Sequence, residues 1–497
     1  MEKNILEKVT PESVGIRSKD IAAVMEVFQR KRYAMHSVII ARHGKICFEE
    51  YWKPYHAQSL HRLYSSSKSF VSLAIGFLYD EGRLELDDKV ITYFPEYEDR
   101  TDEYLKQQTI REMLKMSTAS VDANWLALGV KKRVEFYFIR EQNRPSGTIY
   151  NYDSTGTYIL SLIVERITGK NFLEYLREKL FDKIGVSDEI DSVKTPEGYL
   201  WADSGIRCTA RDFYRVAQFA CNLGKWGDEQ LLSREYMEAA TKKQVFTARE
   251  GMVLSNGYGY GYQFWITEQE GFAFRGMGSQ FAICLPKKDF VFICTADTEF
   301  DPSCAEIIFE TVFDKLINHI SEKGVEEDVQ ETDRLKALCS NLEIPCAQGE
   351  KTTALQRQLF SGIYDLKPNA MNISWFQLQF GEDEGCFIYE KGNKVRKFMF
   401  GIGKNVFQEF PEDAMPNENG AECEPGHTHR CGVSGAWVED QKFYMRIHIV
   451  DKKYLGNLHF IIGFKDDCAG IQMISNAEFF LVDYNGFAGG VRRRNEN

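Results

Sequence analysis

Residues 67–82, SKSFVSLAIGFLYDEG, constrain the fold of this 497-residue chain more than any other stretch. The run from Phe70 to Leu78 reads as a helix buried all round, and Gly82 is the natural left-handed cap that ends it. One turn in, however, stands Lys68, preceded by the serines of HRLYSSSKSF. A lysine in such a place costs free energy unless it snorkels, pairs or has lost its proton.

The segments around this helix set the fold class. Residues 37–52, SVIIARHGKICFEEYW, read as two strands joined at His43-Gly44-Lys45. Helical and loop patterns run from there to about residue 240, including GTYILSLIVERITGKNFLEYLREKLF, two helices broken at Thr168-Gly169. Strand patterns return at YGYGYQFWI, GFAFRGMG, SQFAICLP and DFVFICTAD, and CAEIIFETVFDKLINHI closes the region as a helix. Strands at both ends with helices between predict an α/β (α+β) arrangement, the terminal strands meeting in one antiparallel sheet flanked by helices.

Residues from about 322 are polar and acidic and read as a linker carrying one short helix. Beyond them ISWFQLQF, KFMFGIG, KFYMRIHIV, NLHFIIGF and AEFFLVDY recur at short spacing. Such alternation predicts an all-β domain, a small barrel or sandwich. The expected division is 1–325, a linker at 326–356, and a C-terminal β-domain at 357–497. Three roles are open to that β-domain: walling the cleft, forming a homodimer, or binding something itself.

Bulk properties exclude several functions. A net charge of -12 argues against a general nucleic-acid binder and against an anionic-membrane binder, since both need a basic surface. The basic VRRRNEN reads as a solvated tail. No run approaches the roughly 18 apolar residues of a membrane span, and MEKNILEKVTPESVGIRSKD lacks a secretory pattern, so the expected location is cytoplasmic. The 12 cysteines are scattered singly and are expected to be free thiols.

The chemistry concentrates in three places. Ser65 and Lys68 are three apart, which puts them on one face of a helix, with Ser65 near the first turn where unpaired N–H groups favour negative charge. Desolvation of Lys68 is expected to lower its pKa, and a neutral amine can take the serine proton. The alternative is a helix cap beside a surface lysine. SGTIYNYDSTGTYIL places Tyr152 at a loop tip before a helix, where a tyrosine is usually a packing aromatic. GFAFRGMGSQFAICLP runs a strand through Gly276 and Gly278 into another strand, as a plain hairpin or a bulge would.

Together the three resemble the serine β-lactamase and penicillin-binding-protein superfamily, and more narrowly its class C-like branch of esterases, D-amino-acid peptidases and 6-aminohexanoate-oligomer hydrolases. The segment SFVSLAIGFLYDEGRLELDDKVITYFPEY, then TIREMLKMSTA, GIRCTARDFYRVAQF and GYGYGYQFW extend the resemblance over roughly residues 10–320. The resemblance implies a β-lactamase/transpeptidase-like domain. In it Ser65 is the nucleophile, Lys68 its base or the tuner of its base, and Tyr152 a proton shuttle. It makes Ser154 a contact of Lys68 or substrate, and the N–H groups of Ser65 and Met277 the oxyanion hole. The third motif departs from the pattern: its Lys-Thr-Gly or His-x-Gly triplet falls on Phe274-Arg275-Gly276. With Phe274 where the cation belongs, β-lactam hydrolysis is not expected. Arg275 is either a strand-edge arginine or a holder of an anionic group.

The implied activity is acyl transfer to water: a serine hydrolase cleaving a small ester or amide, with no cofactor and no metal. An acyltransferase using the same acyl-enzyme is the alternative within enzymes. A catalytically silent binder of peptides or cell-wall fragments is the alternative outside them. ECEPGHTHRC gathers Cys423, His427, His429 and Cys431, but the spacing fits a polar loop better than paired zinc knuckles. No Gly-x-Ser-x-Gly elbow, phosphate-binding loop or dinucleotide fingerprint is present.

Overall fold

The computed structural model describes residues 6–119, 130–247, 258–301, 303–356, 362–413, 428–477 and 481–494. Two strands that are buried along their whole length organise the first unit: β1 (Ala34–Arg42) and the strand FVFICTAD at Phe290–Asp297. They pair antiparallel, Val38 opposite Cys294 and Arg42 opposite Phe290, so strands some 250 residues apart in sequence form the sheet centre. β1 turns into β2 (Lys45–Tyr51) through His43 and Gly44, whose φ values of 55° and 71° make the tight turn.

With β3 (Trp265–Ile266), β4 (Phe272–Gly276), β5 (Gln280–Leu285) and β6 (Phe290–Asp297) the sheet runs in the order β2-β1-β6-β5-β4-β3. Its first helical layer holds α1 (Ser18–Lys31). The other face carries α2 (Ser67–Asp80), α3 (Ser154–Thr168) and α4 (Ala210–Cys221), the last packed on the central strands. Continuous apolar strands between two helical layers are the physical consequence of burial on both faces. This is a β-lactamase-like α/β fold, as the sequence implied.

Local endings follow from residue chemistry. α2 stops before Gly82 at φ +63°, and α3 before Gly169 at φ +71°, after which Asn171 and Glu174 cap the next helix reciprocally. The expected strand at YGYGYQFWI is shorter than its aromatic alternation suggests, reduced to Trp265–Ile266. Gln263 turns the chain at φ +65°, and a Cβ on Gly261 would lie 2.0 Å from the Ala240 carbonyl oxygen.

The first unit closes with α5 (Cys304–Lys315) and α6 (Val329–Cys339), both packed on α1. α6 lies inside the stretch read as a linker. Gln29 donates to the Leu338 carbonyl (2.9 Å) and Arg334 pairs with Glu26, so this helix belongs to the first unit, which runs to Ile344 rather than 325. Among the described residues no helix is long and apolar enough to cross a membrane.

The second unit begins at Pro345 and is a β-barrel. Its strands are β7 (Ile363–Leu366), β8 (Ile373–Phe380), β9 (Glu384–Lys391), β10 (Lys394–Ile402), β11 (Val406–Asp413), β12 (Thr428–Glu439), β13 (Lys442–Ile449), β14 (Asn457–Lys465), β15 (Cys468–Ser475) and β16 (Gly486–Arg492). Neighbours are antiparallel in the order β10-β9-β8-β7-β16-β15-β14-β13-β12-β11, and a short parallel pairing of β10 with β12 closes the ring. β16 takes in Val491 and Arg492, and Arg493 pairs with Asp365, so the start of VRRRNEN is not a free tail. Of the candidate zinc set, Cys423 and His427 lie outside the described residues. His429 lies 3.0 Å from Asp451, and Cys431 is buried on β12.

Candidate active site

The chain enters α2 through a sharp corner. The short strand His61–Arg62 ends at Leu63, Tyr64 takes a left-handed φ of +49°, and one 3-10 turn leads into the helix. A tyrosine in that region is strained, and it sits immediately before Ser65. The Arg62 guanidinium lies 4.5 Å from the Tyr64 ring centroid and 4.7 Å from that of Trp201.

Lys68 is 1% exposed, so it neither snorkels nor faces solvent. Its Nζ donates to Ser65 Oγ at 3.1 Å and to the main-chain carbonyl of Asp203 at 2.8 Å, and lies 5.0 Å from the centroid of the Tyr152 ring. The Asp203 side chain is buried as well. Burial pushes its carboxyl above the ordinary range, with Lys68 and then Arg133 opposing that shift. The other serines of the cluster have different duties. Ser66 Oγ donates to the Gln280 carbonyl (2.8 Å), Ser67 Oγ accepts from Ile206 N (3.2 Å), and Ser69 Oγ donates to the Gln263 carbonyl (2.6 Å).

Tyr152 stands just before α3, whose cap is Asp153, and its ring stacks on Trp265 at 5.6 Å. Among the described residues its hydroxyl makes no hydrogen bond to Ser65 or Lys68. Ser154 is the first residue of α3, and the partners of Lys68 Nζ are Ser65 and Asp203, not Ser154.

Opposite, the β4–β5 turn presses on the Leu63 corner. A Cβ on Gly276 would lie 2.1 Å from the Leu63 carbonyl oxygen, which is why only glycine fits there. A cleft of about 250 Å³ opens at this junction, lined by Ser65, Tyr152, Trp265, Arg275, Met277 and Glu299 among others. Phe274 is not in it: the ring is buried in the core against Phe70, Phe213 and Phe264. Arg275 is at its wall but committed. It pairs with Glu306 at 3.2 Å and its guanidinium lies over Trp265, Phe281 and Phe309, and burial lowers its pKa against the pull of Glu306.

The structure thus gathers Ser65, Lys68, Tyr152, Arg275, Gly276 and Met277 around one cleft and leaves Ser154 beside it. Sequence reasoning missed the Asp203 carbonyl, Trp265 and Glu306. A carbonyl acceptor has no residue signature. Trp265 was hidden in a run of aromatics, and Glu306 in an ordinary helix.

An antiparallel sheet between helical layers, with a serine and a buried lysine one turn apart at its central helix, is an arrangement of the β-lactamase fold. Residues 21–312 match the protein family described as Beta-lactamase, and the chain belongs to that family. A 6-aminohexanoate-dimer hydrolase from Paenarthrobacter ureafaciens is 26% identical over 265 residues, which cover 48% of this chain and 66% of that protein, just under two thirds. Two solved structures share the fold. One, from Bacillus anthracis and provisionally assigned as a 6-aminohexanoate-dimer hydrolase, has a TM-score of 0.53 at 18% identity, covering 63% of this chain and 86% of its own. The other, EstCE1, a hydrolase with promiscuous acyltransferase activity, has a TM-score of 0.50 at 15% identity, covering 59% of this chain and 98% of its own.

Proposed function

We propose that this protein is a serine hydrolase that cleaves a small ester or amide through an acyl-enzyme on Ser65. The observation that carries the reading is the 3.1 Å contact of Lys68 Nζ with Ser65 Oγ, at a buried lysine beside an open cleft. The Asp203 carbonyl can take a lysine N–H whether the amine is charged or neutral. In the neutral form it therefore turns the remaining lone pair toward Ser65, where it accepts the serine proton as Oγ attacks the carbonyl carbon. Negative charge then develops on the carbonyl oxygen, where the Ser65 and Met277 N–H groups donate to it. Once substrate draws its hydroxyl into hydrogen-bond reach, Tyr152 gives its proton to the leaving group as the acyl–leaving-group bond breaks and is reprotonated by Lys68, which leaves the lysine neutral again. Water releases the acyl group by the same steps.

Cleft size and charge narrow the substrate. About 250 Å³ falls just below the usual span of ligand pockets, roughly 300–1,000 Å³, which suits a short acyl chain. Arg275 is neutralised by Glu306, Phe274 lies in the core, and the wall also presents the carboxylates of Glu299 and Asp301. A substrate carboxylate finds no available cation among the described cleft residues, so anionic β-lactams are expected to be poor substrates. Short-chain p-nitrophenyl esters, amide oligomers and nitrocefin, compared on one preparation with serine-directed phosphonate labelling, test the reading. Ester or amide turnover with one label on Ser65 supports it; Ser65→Ala retaining turnover and label defeats it, and fast nitrocefin hydrolysis defeats the charge argument.

A further inference from the structure

The β4–β5 turn carries the Met277 N–H, and its conformation is not one that the turn residues choose unaided. Gly278 and Ser279 both have φ +69°, and for serine that region is unfavourable, so outside contacts must hold it. Ser279 Oγ pairs with Thr298 Oγ1 at 2.7 Å and its carbonyl accepts from Cys294 Sγ at 3.4 Å, and a further set of contacts comes from one fully buried side chain. Gln280 Nε2 donates to the Met277 carbonyl at 3.0 Å and to the Ala296 carbonyl at 2.6 Å, while its Oε1 accepts from Ala296 N at 3.3 Å.

The arrangement fixes a particular peptide plane. The 277–278 peptide is held at both ends, its carbonyl by Gln280 and its N–H by Glu299 Oε1 at 2.7 Å. The preceding peptide is wedged where Gly276 meets the Leu63 carbonyl, and it bears the Met277 N–H, for which no described group is an acceptor. The Gln280 main chain joins the two halves of the site, since its carbonyl accepts from Ser66 Oγ in the turn that carries Ser65.

We infer that Gln280 is a positioning residue of the oxyanion site, holding the Met277 N–H at a fixed place beside Ser65 through one bond to the turn and two to β6. This rests on the reading of Ser65 as nucleophile and of the Met277 N–H as oxyanion donor. An isosteric side chain without the amide leaves substrate binding in place but lets the donor drift. Loss of one such donor costs a factor of about 10²–10³, and misplacement is expected to cost roughly ten- to a hundredfold.

The test is Gln280→Met in the full chain, measuring kcat and KM on a p-nitrophenyl ester, the dissociation constant of an aryl boronic acid, and the melting temperature. A boronate forms a tetrahedral adduct on the serine and so reports the oxyanion site, which a merely structural residue would not affect selectively. The inference expects kcat and boronate affinity to fall together by that factor, with KM within threefold and phosphonate still labelling Ser65. It is overturned if a folded Gln280→Met keeps both within twofold, or loses kcat while boronate affinity stands. If Gln280→Met does not fold, Gln280→Asn keeps a buried amide one methylene short of the turn and is judged by the same comparison. Ser65→Ala separates the two readings: an active Ser65→Ala defeats the hydrolase mechanism, whereas an inactive one beside a fully active Gln280→Met defeats only the role of Gln280.

Discussion

Lys68 shows how little room one residue has at this site: buried, it holds Ser65 Oγ and one main-chain carbonyl and nothing exposed. Its neighbours make the serine series informative. Ser67→Ala and Ser69→Ala each remove one hydrogen bond to another element, so each is expected to cost about 1 kcal/mol of stability while phosphonate labelling persists. Only Ser65→Ala is expected to abolish the label, as mass spectrometry of the four variants at positions 65, 66, 67 and 69 would read. His61, four residues upstream, gives a pH signature. It is buried between His36 and Tyr55, at 4.9 and 4.8 Å, and burial lowers its pKa to about 4. An unfolded histidine takes a proton near 6.5, so between those values the unfolded chain binds the extra proton. The neutral His61 therefore contributes stability that is fully present above about pH 6.5 and is lost as pH falls through the window to about 4, by roughly 3 kcal/mol. Urea unfolding of wild type and His61→Phe at pH 7 and pH 4.5 checks it: the stability difference should move in favour of the variant at the lower pH, and a difference that does not change with pH would refute the assignment.

Among the elements, α2 was the most legible, because an apolar run with a terminal glycine has few other outcomes. One feature inside it was not: Gly76, in mid-helix, where glycine costs about 1 kcal/mol relative to alanine. The structure supplies the reason, since a Cβ there would lie 2.5 Å from the Tyr236 ring. That ring cannot retreat, being buried and tied through its hydroxyl to the Ser72 carbonyl at 2.8 Å. Overpacking of about 1–3 kcal/mol therefore outweighs the helix-propensity gain, and Gly76→Ala is expected to lower the melting temperature. In a Tyr236→Ala background the same change should be neutral or stabilising, which a double-mutant cycle measures. The β1–β2 hairpin, the break at Thr168-Gly169 and the Ser65–Lys68 pairing were legible for the same reason: each is a local pattern of spacing and residue type. What escaped was non-local. The aromatics of YGYGYQFWI imitate strand alternation although Gly261 and Gln263 bend the chain, and GFAGGVR hides β16 because its glycines carry no side-chain pattern. α6 looked like linker because only Leu335 is buried on it, its attachment to α1 being polar.

For the whole molecule, the sequence read a change from α/β to all-β patterning, but it placed the boundary by composition. The structure places it by packing, at Ile344 and Pro345. The second unit satisfies the physical conditions for folding by itself. Its first and last strands pair, Tyr364 opposite Arg492, and β10 meets β12 at Gly401–Ser434 and Ile402–Gly435, which ties the two ends of the strand order together. Its core is its own, with Phe387, Phe398 and Phe460 in mutual ring contact and Trp437 packed on Phe380 and Phe443. Its buried charges also close internally: Glu412 takes Lys391 and Arg396, both at 3.1 Å, and the Tyr484 hydroxyl at 2.7 Å. Unpaired, either cation would cost several kcal/mol, so this cluster needs no group from elsewhere. At about 150 residues a single core buries enough surface to hold such a domain. Residues 345–497 expressed alone are therefore expected to give one cooperative thermal transition, with far-UV and near-UV circular dichroism changing together. A fragment with strand signal but no near-UV signal, or with a gradual melt, would mean that the barrel acquires its packing only in the presence of the first unit.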